Sequence, residues 1–160
     1  MPRSSKPRHK RKNKCTGNPR MATQPWRSQS VFTPLERILD QLEQEGTVDV
    51  SAAHKMAGMP IYKETDGKWY STVHAMQGVI EFFEIHASRK GLFLPLQPLI
   101  LLAKKLEVDM PIFPKDTQDV RAALVILRRT ANRMTADEAH ELVNDIRISV
   151  EMDKIRGEAA

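Results

Sequence analysis

The sequence has little of what small secreted or β-rich proteins depend on. It contains one cysteine, Cys15, and aromatic residues make up only 6% of its 160 residues. A single thiol cannot form an intramolecular disulfide, which excludes a disulfide-stapled scaffold and favours a reducing compartment. The low aromatic content is more typical of a helical domain than of a β-sandwich.

Long apolar runs are also missing. The longest uninterrupted one is Leu99–Ala103, whereas a membrane-spanning helix needs about 20 apolar residues. No apolar segment follows the basic N-terminus, so the sequence predicts neither a secretory signal nor a membrane partner.

Acidic residues are absent from the first 35 positions, which carry nine basic side chains. The rest of the chain has a net charge of −4, so the formal charge of +5 combines a basic arm with a slightly acidic body. Such an arm predicts a polyanionic partner, either nucleic acid or an acidic protein. Besides Arg27, its basic residues are Arg3, Lys6, Arg8, Lys10, Arg11, Lys12, Lys14 and Arg20.

This asymmetry predicts the domain organisation. We expect residues 1–30 to be a disordered arm, because they cannot bury enough apolar area to offset chain entropy. Residues 31–156 would form one helical domain, with a tail at 157–160. Trp26 is expected to pin the end of the arm against the domain. Whether translation begins at Met1 or at Met21 stays open.

Apolar periodicity and capping signals predict a mainly α domain with about five amphipathic helices in a bundle-like arrangement. The first helix would begin with Thr33 as N-cap and Pro34 at its first position, and end at Gly46. The second would run from Ser71 or Thr72 to Gly91, with Val73, Met76, Ile80 and Phe83 on its main apolar stripe.

Three more helices are predicted after Gly91. Pro95 and Pro98 open one that stops before Pro111, and Asp116 caps the next. The capping box Thr135–Glu138 opens the last helix. Its expected buried residues are Leu142, Val143, Ile146 and Val150.

The segment at about 60–71 predicts an antiparallel β-hairpin inserted after the first helix. Asp66-Gly67 lies between two strand-like runs, and this pair is typical of a two-residue type I′ turn. In that register Tyr62 faces Ser71. The alternating run 47–50 leaves a three-stranded meander as the alternative to a hairpin.

Acid–base and metal chemistry find little support in the sequence. His74, Gln77, Glu81 and Glu84 share a helix face, which is more typical of a solvated surface than of a metal site. Asp137 lies three residues before His140, but a carboxylate-bridged di-metal site needs that spacing twice. We therefore expect no metal, no other cofactor and no catalytic residue, and we favour a non-enzymatic protein.

The arm and the fourth helix carry the functional prediction. On that helix the side chains of Arg121, Arg128, Arg129 and Arg133 spread over about 140°. They could bind phosphates, pair with acids of the first or fifth helix, or simply be solvated. We expect a nucleic-acid-associated accessory protein without sequence-specific readout. The alternative is a protein-interaction module, such as a phage-encoded modulator of a host protein, with the arm serving docking or solubility; the oligomeric state stays open.

Several short segments of the sequence form a recognisable combination. They are the start Met1-Pro2-Arg3, residues 32–40, 46–50, 60–62 and 66–70, and Asp145-Ile146-Arg147-Ile148. Together they resemble a group of uncharacterised small proteins from bacteriophages and bacterial prophages. The resemblance implies a bacterial cytoplasmic setting, and it brings no activity or site residues.

Overall fold

The computed structural model of the chain describes residues 17–47, 49–50, 60–63 and 66–158. Within these residues a short 3-10 turn, Met21–Thr23, precedes five α-helices and three short strands. The helices are α1 (Pro25–Glu45), α2 (Thr72–Lys90), α3 (Gln97–Glu107), α4 (Pro114–Arg133) and α5 (Ala136–Glu158). The strands are β1 (Asp49–Val50), β2 (Pro60–Lys63) and β3 (Trp69–Ser71). The predicted fold class is confirmed.

Local signals set most helix ends where they were predicted. The Ser71 side chain accepts a hydrogen bond from the backbone N–H of His74 at the start of α2. Gly91 ends that helix with φ of 61°, a left-handed conformation that glycine adopts without a Cβ penalty. At α4 the Asp116 carboxylate, in the first turn, accepts from the N–H of Phe113, so Phe113 is the N-cap and Asp116 lies inside the helix.

The core lies between the helices and draws on all five. Helix α1 packs on α4, while α2 packs on α3 and α5. Phe32 of α1 and Phe83 of α2 are fully buried, with ring centroids 6.1 Å apart. Leu127 of α4 and Leu142 of α5 are buried as well. Phe83 falls on the stripe that the sequence pattern predicts for α2, and Leu142 is among the residues predicted to be buried in α5.

The strands form an antiparallel meander in the order β1–β2–β3. Tyr62 lies opposite Tyr70 rather than Ser71, so the predicted register is wrong by one residue. The Asp66 side chain accepts hydrogen bonds from the N–H of Lys68 and the hydroxyl of Tyr70. This local bonding accompanies a connection of five residues between β2 and β3, 64–68, instead of two.

Helix α1 begins earlier than predicted. It starts at Pro25, with Thr33 inside it and Pro34 as an internal proline, so residues 25–30 belong to the helical domain. Trp26 does not pin this end, because its side chain is 62% exposed. The added turns carry Ser28, which is buried, and Val31, which packs against the core.

Helix α5 differs from its prediction at the other end of the chain. It continues through Glu158, beyond the expected limit of 156. Val143 and Val150, expected inside, are 48% and 45% exposed. Val143 lies about 100° around the helix from buried Leu142, and Val150 lies in the part of α5 that is exposed from Arg147 onward.

Candidate nucleic-acid interface

Residues 18–21, called the strap here, tie the start of the described chain to the corner between α4 and α5. The N–H of Met21 donates to the carbonyl of Met134, and the N–H of Ala136 donates to the carbonyl of Pro19, both at 2.8 Å. Between these bonds, Arg20 and Thr135 form an antiparallel bridge. Met21 is only 6% exposed. The strap is therefore part of the fold.

The strap also completes the N-terminal end of α5. The first N–H groups of a helix have no partner within the helix, and an unsatisfied donor is costly. The Asn18 side-chain oxygen accepts from the N–H of Asp137 at 3.1 Å, next to the Ala136 bond. Residues 1–16, to which the word arm refers from here on, lie outside the described residues. Their attachment point, Gly17, directly precedes Asn18, which is bonded to this helix end.

A capping box holds the same corner. The Glu138 carboxylate accepts from the N–H of Thr135, whose hydroxyl accepts from the N–H of Glu138. The ammonium of Lys90, 2.6 Å from Glu138, and the Thr135 N–H lower the pKa of Glu138 to about 2. The carboxylate therefore stays ionised, and it joins α5 to the end of α2.

Two of the four arginines of α4 are bound by acids of α1. Arg121 donates to Glu43 at 2.8 Å and to Asp40 at 2.6 Å. These carboxylates raise the pKa of its guanidinium above the ordinary value, and Arg121 in turn lowers the pKa of Glu43. The charge of Arg121 is thus neutralised by two carboxylates of α1.

Arg128 is held in the same way. It donates to Glu36 at 2.5 Å and lies 5.1 Å above the ring of Phe32. Since Glu36 lies level with Arg128, and Glu43 with Arg121, helices α1 and α4 run antiparallel. Arg121 and Arg128, both predicted phosphate ligands, therefore hold α4 to α1, which is the alternative that the sequence left open.

Arg129 and Arg133 differ from the first two arginines. Both side chains are exposed, and neither forms an ion pair within the described part of the chain. At 100° per residue they point about 100° and 140° away from Arg128, toward the outer face of the α1–α4 pair. Arg129 also lines an open groove of about 410 Å³ along the two helices, together with Glu36, Arg128 and Asn132.

The antiparallel packing brings the start of α1 beside the end of α4. The 3-10 turn before α1 contacts both helices, and the strap bridges Thr135 just beyond Arg133. Four basic residues belong to the strap, the first turn of α1 and the last turns of α4, which are the segments that meet near the attachment point of the arm. We call them the basic end: Arg20, Arg27, Arg129 and Arg133.

An exposed aromatic ring lies at the basic end. Trp26, in the first turn of α1, is 62% exposed. The guanidinium carbon of Arg27 lies 4.8 Å from the centre of its ring. The larger part of the Trp26 side chain is thus in contact with solvent.

The predicted nucleic-acid ligands therefore fall into three groups. Arg3, Lys6, Arg8, Lys10, Arg11, Lys12 and Lys14 lie outside the described residues. Arg20 and Arg129 are exposed at the basic end, whereas Arg121 and Arg128 are engaged with α1. Sequence reasoning missed the strap, because it pairs residues more than 100 positions apart and leaves no local signal.

The histidines do not form a metal centre in the described part of the chain. No group of three or more His, Cys, Asp or Glu side chains there could hold a metal ion. His74 instead bonds Ser71, with 2.8 Å between Nδ1 and Oγ. His86 is buried between α2 and α5 beside Glu138, and its burial lowers its pKa.

The comparisons with other proteins add no relative. Among the helices that the structure describes, none has the length and apolar character to span a membrane. No model of a known protein family, no curated protein and no solved structure matches this chain.

Proposed function

We propose that this protein is a non-enzymatic accessory protein that binds nucleic acid through the phosphate backbone, using the arm and the basic end together. The observation that carries the proposal is the anchoring of the arm by the strap beside Arg129 and Arg133. A phage-related origin, supported by the sequence resemblance, accords with such a role.

The chemistry of this arrangement is electrostatic. Arginine and lysine neutralise phosphates and release condensed counterions, which gives affinity without reading the bases. Fixing the arm at Gly17 keeps its charges close to those of the folded surface. Once the arm meets a strand, the basic end can bind nearby phosphates of the same molecule at high effective concentration.

An electrophoretic shift titration of the intact chain against a variant lacking residues 1–16 tests this proposal. The deletion removes seven basic side chains and keeps the strap. We expect the slope of log affinity against log salt concentration to fall by about 5 to 6. Equal affinity and equal slope for both proteins would remove the arm from the function.

A second candidate function, contact with another protein, is favoured by the end of α5. Ile148, Met152 and Ile155 are 61%, 46% and 59% exposed and recur at spacings of four and three. Such a stripe is the seam of a short two-stranded coiled coil. In a parallel pairing of two copies, Glu151 of one helix would face Arg156 of the other, in place of their present pairs with Lys154 and Asp153. This charge complementarity favours a second copy of the chain as the partner. The arm would then serve solubility or docking on an acidic protein.

Sedimentation equilibrium over a range of protein concentrations tests this second candidate. Because the seam is little longer than one heptad, we expect weak, concentration-dependent dimerisation. Met152→Glu should abolish it, whereas Val150→Glu, a matched change on another face of the same helix, should not. A chain that stays monomeric at every concentration contradicts this function.

A further inference from the structure

Trp26 presents most of its side chain to solvent, where a ligand could contact the ring. Tryptophan usually buries a large area, yet this side chain is 62% exposed on the first turn of α1. The guanidinium of Arg27, 4.8 Å from the ring centre, covers part of it and adds a positive charge. Most of the ring remains accessible to a flat ligand.

The surroundings of Trp26 indicate which flat ligand fits. Trp26 lies in the first turn of α1, six residues after Arg20, and the 3-10 turn between them contacts α4. A strand whose phosphates are bound by Arg20, Arg129 and Arg133 would present its bases next to this ring. No Asp or Glu precedes Glu36 in the sequence. The acids at the strap corner belong to the start of α5, where Glu138 is paired with Lys90 and Asp137 is exposed.

We propose that Trp26 stacks on an unpaired base and makes the protein prefer single-stranded over double-stranded nucleic acid, an inference that rests on the proposed function. In a duplex both faces of each base are already stacked, so a surface ring can gain contact only by unstacking a base pair. In a single strand the base faces are open. Stacking on an aromatic side chain is also indifferent to base identity, because every base has a π-face.

Because the chain has only two tryptophans, one substitution makes tryptophan fluorescence report on Trp26 alone. Trp69 is 49% exposed and lines a groove with Gln41 and Gln44, near the far end of α1 from Trp26. The full-length Trp69→Phe variant therefore has Trp26 as its only indole. We expect its fluorescence to be quenched by an oligothymidylate of about 16 nucleotides, and to change little with a duplex of the same length at equal saturation.

Alanine variants of the full chain measure the contribution of the ring. Trp26→Ala should weaken single-strand binding by about 5- to 150-fold and leave duplex binding unchanged. Trp26→Phe should retain most of the single-strand affinity. Trp69→Ala, which removes a similarly exposed ring, is the matched control and should change neither affinity. DNA and RNA strands of one sequence distinguish the two sources of unpaired bases.

The outcomes separate this inference from the proposed function. If Trp26→Ala binds single strands as tightly as the intact chain, and binding still weakens with salt, stacking is refuted and phosphate binding stands. Equal loss of single-strand and duplex binding also refutes the preference. If the intact chain binds neither form at low salt, the proposed function fails, and this inference fails with it.

Discussion

Removal of the strap should destabilise the domain, whereas removal of the arm alone should not. We compare a chain that starts at Gly17 with one that starts at Met21. The shorter chain loses the Pro19 carbonyl and the Asn18 side chain, and with them the partners of the Ala136 and Asp137 N–H groups. The longer chain keeps both bonds.

The two bonds to α5 set the smallest loss expected, because the shorter chain also loses the Arg20 carbonyl that accepts from the N–H and the hydroxyl of Thr23. Each bond to α5 contributes roughly 0.5–1.5 kcal/mol to folding, so the free energy of unfolding should fall by about 1–3 kcal/mol or more. A loss near the middle of that range lowers the melting temperature of a domain of this size by about 4–8 °C. The slope of the unfolding free energy against urea should stay constant, because little surface changes.

Urea unfolding followed by far-ultraviolet circular dichroism measures the effect. The chain starting at Gly17 should match the intact protein, and the one starting at Met21 should unfold at lower urea concentration. Asn18→Ala in the intact protein should show the part of the loss that belongs to the side-chain bond. If the two truncated chains unfold at the same concentration, the strap does not stabilise α5.

Two other predictions concern side chains inside the fold and on its surface. Burial lowers the pKa of His86 below its ordinary 6.5, so the unfolded chain binds more protons than the folded one below that pH. The free energy of unfolding should therefore fall as the pH drops below 6.5. His86→Leu should flatten this dependence in urea unfolding between about pH 7 and 5. The double variant Arg129→Ala, Arg133→Ala should lower the slope of log affinity for nucleic acid against log salt concentration by about 1.4–1.8 without changing the free energy of unfolding. The single variant Arg128→Ala should lower the free energy of unfolding by about 0.5–1 kcal/mol and leave that slope unchanged.

The sequence predicted helices α2 to α5 well because their signals are local. Ser71 and Gly91 bound α2, and the pair Thr135 and Glu138 opens α5, each through contacts within a few residues. Such contacts depend little on the rest of the fold. The start of α1 was missed because Thr33-Pro34 has the local features of a helix beginning, while long-range burial of Phe32 favours an earlier one.

The errors at the hairpin and in α5 have a similar origin. The register between β2 and β3 depends on how Asp66 bonds Lys68 and Tyr70, which the Asp-Gly pair alone does not determine. Val143 and Val150 continue an apolar period, but a period cannot tell whether a neighbouring helix is present to cover it. The hydrogen bonds of the turn decide the register, and the presence of a packing partner decides which valines of α5 are buried.

The sequence predicted which basic residues the candidate site contains, but it did not predict which of them pair with acids of the fold. Four arginines on one helix look alike in sequence, yet the acids of α1 divide them. Those acids begin at Glu36, and because α1 and α4 are antiparallel, Glu36 and Glu43 lie level with Arg128 and Arg121. Arg133 lies beside the part of α1 that precedes every acid in the chain.

The charge asymmetry of the sequence thus becomes an asymmetry in space. Helix α4 runs back along α1 toward residues that contain no carboxylate, so Arg133 lies beyond the level of Glu36, whereas Arg129 shares a groove with Glu36. The strap returns the arm to the same place, since Arg20 pairs with Thr135. An acid placed in this region, as in Gln29→Glu on the exposed first part of α1, should therefore weaken nucleic-acid binding. The matched change Gln44→Glu at the far end should not, and equal effects of the two would show that only total charge matters.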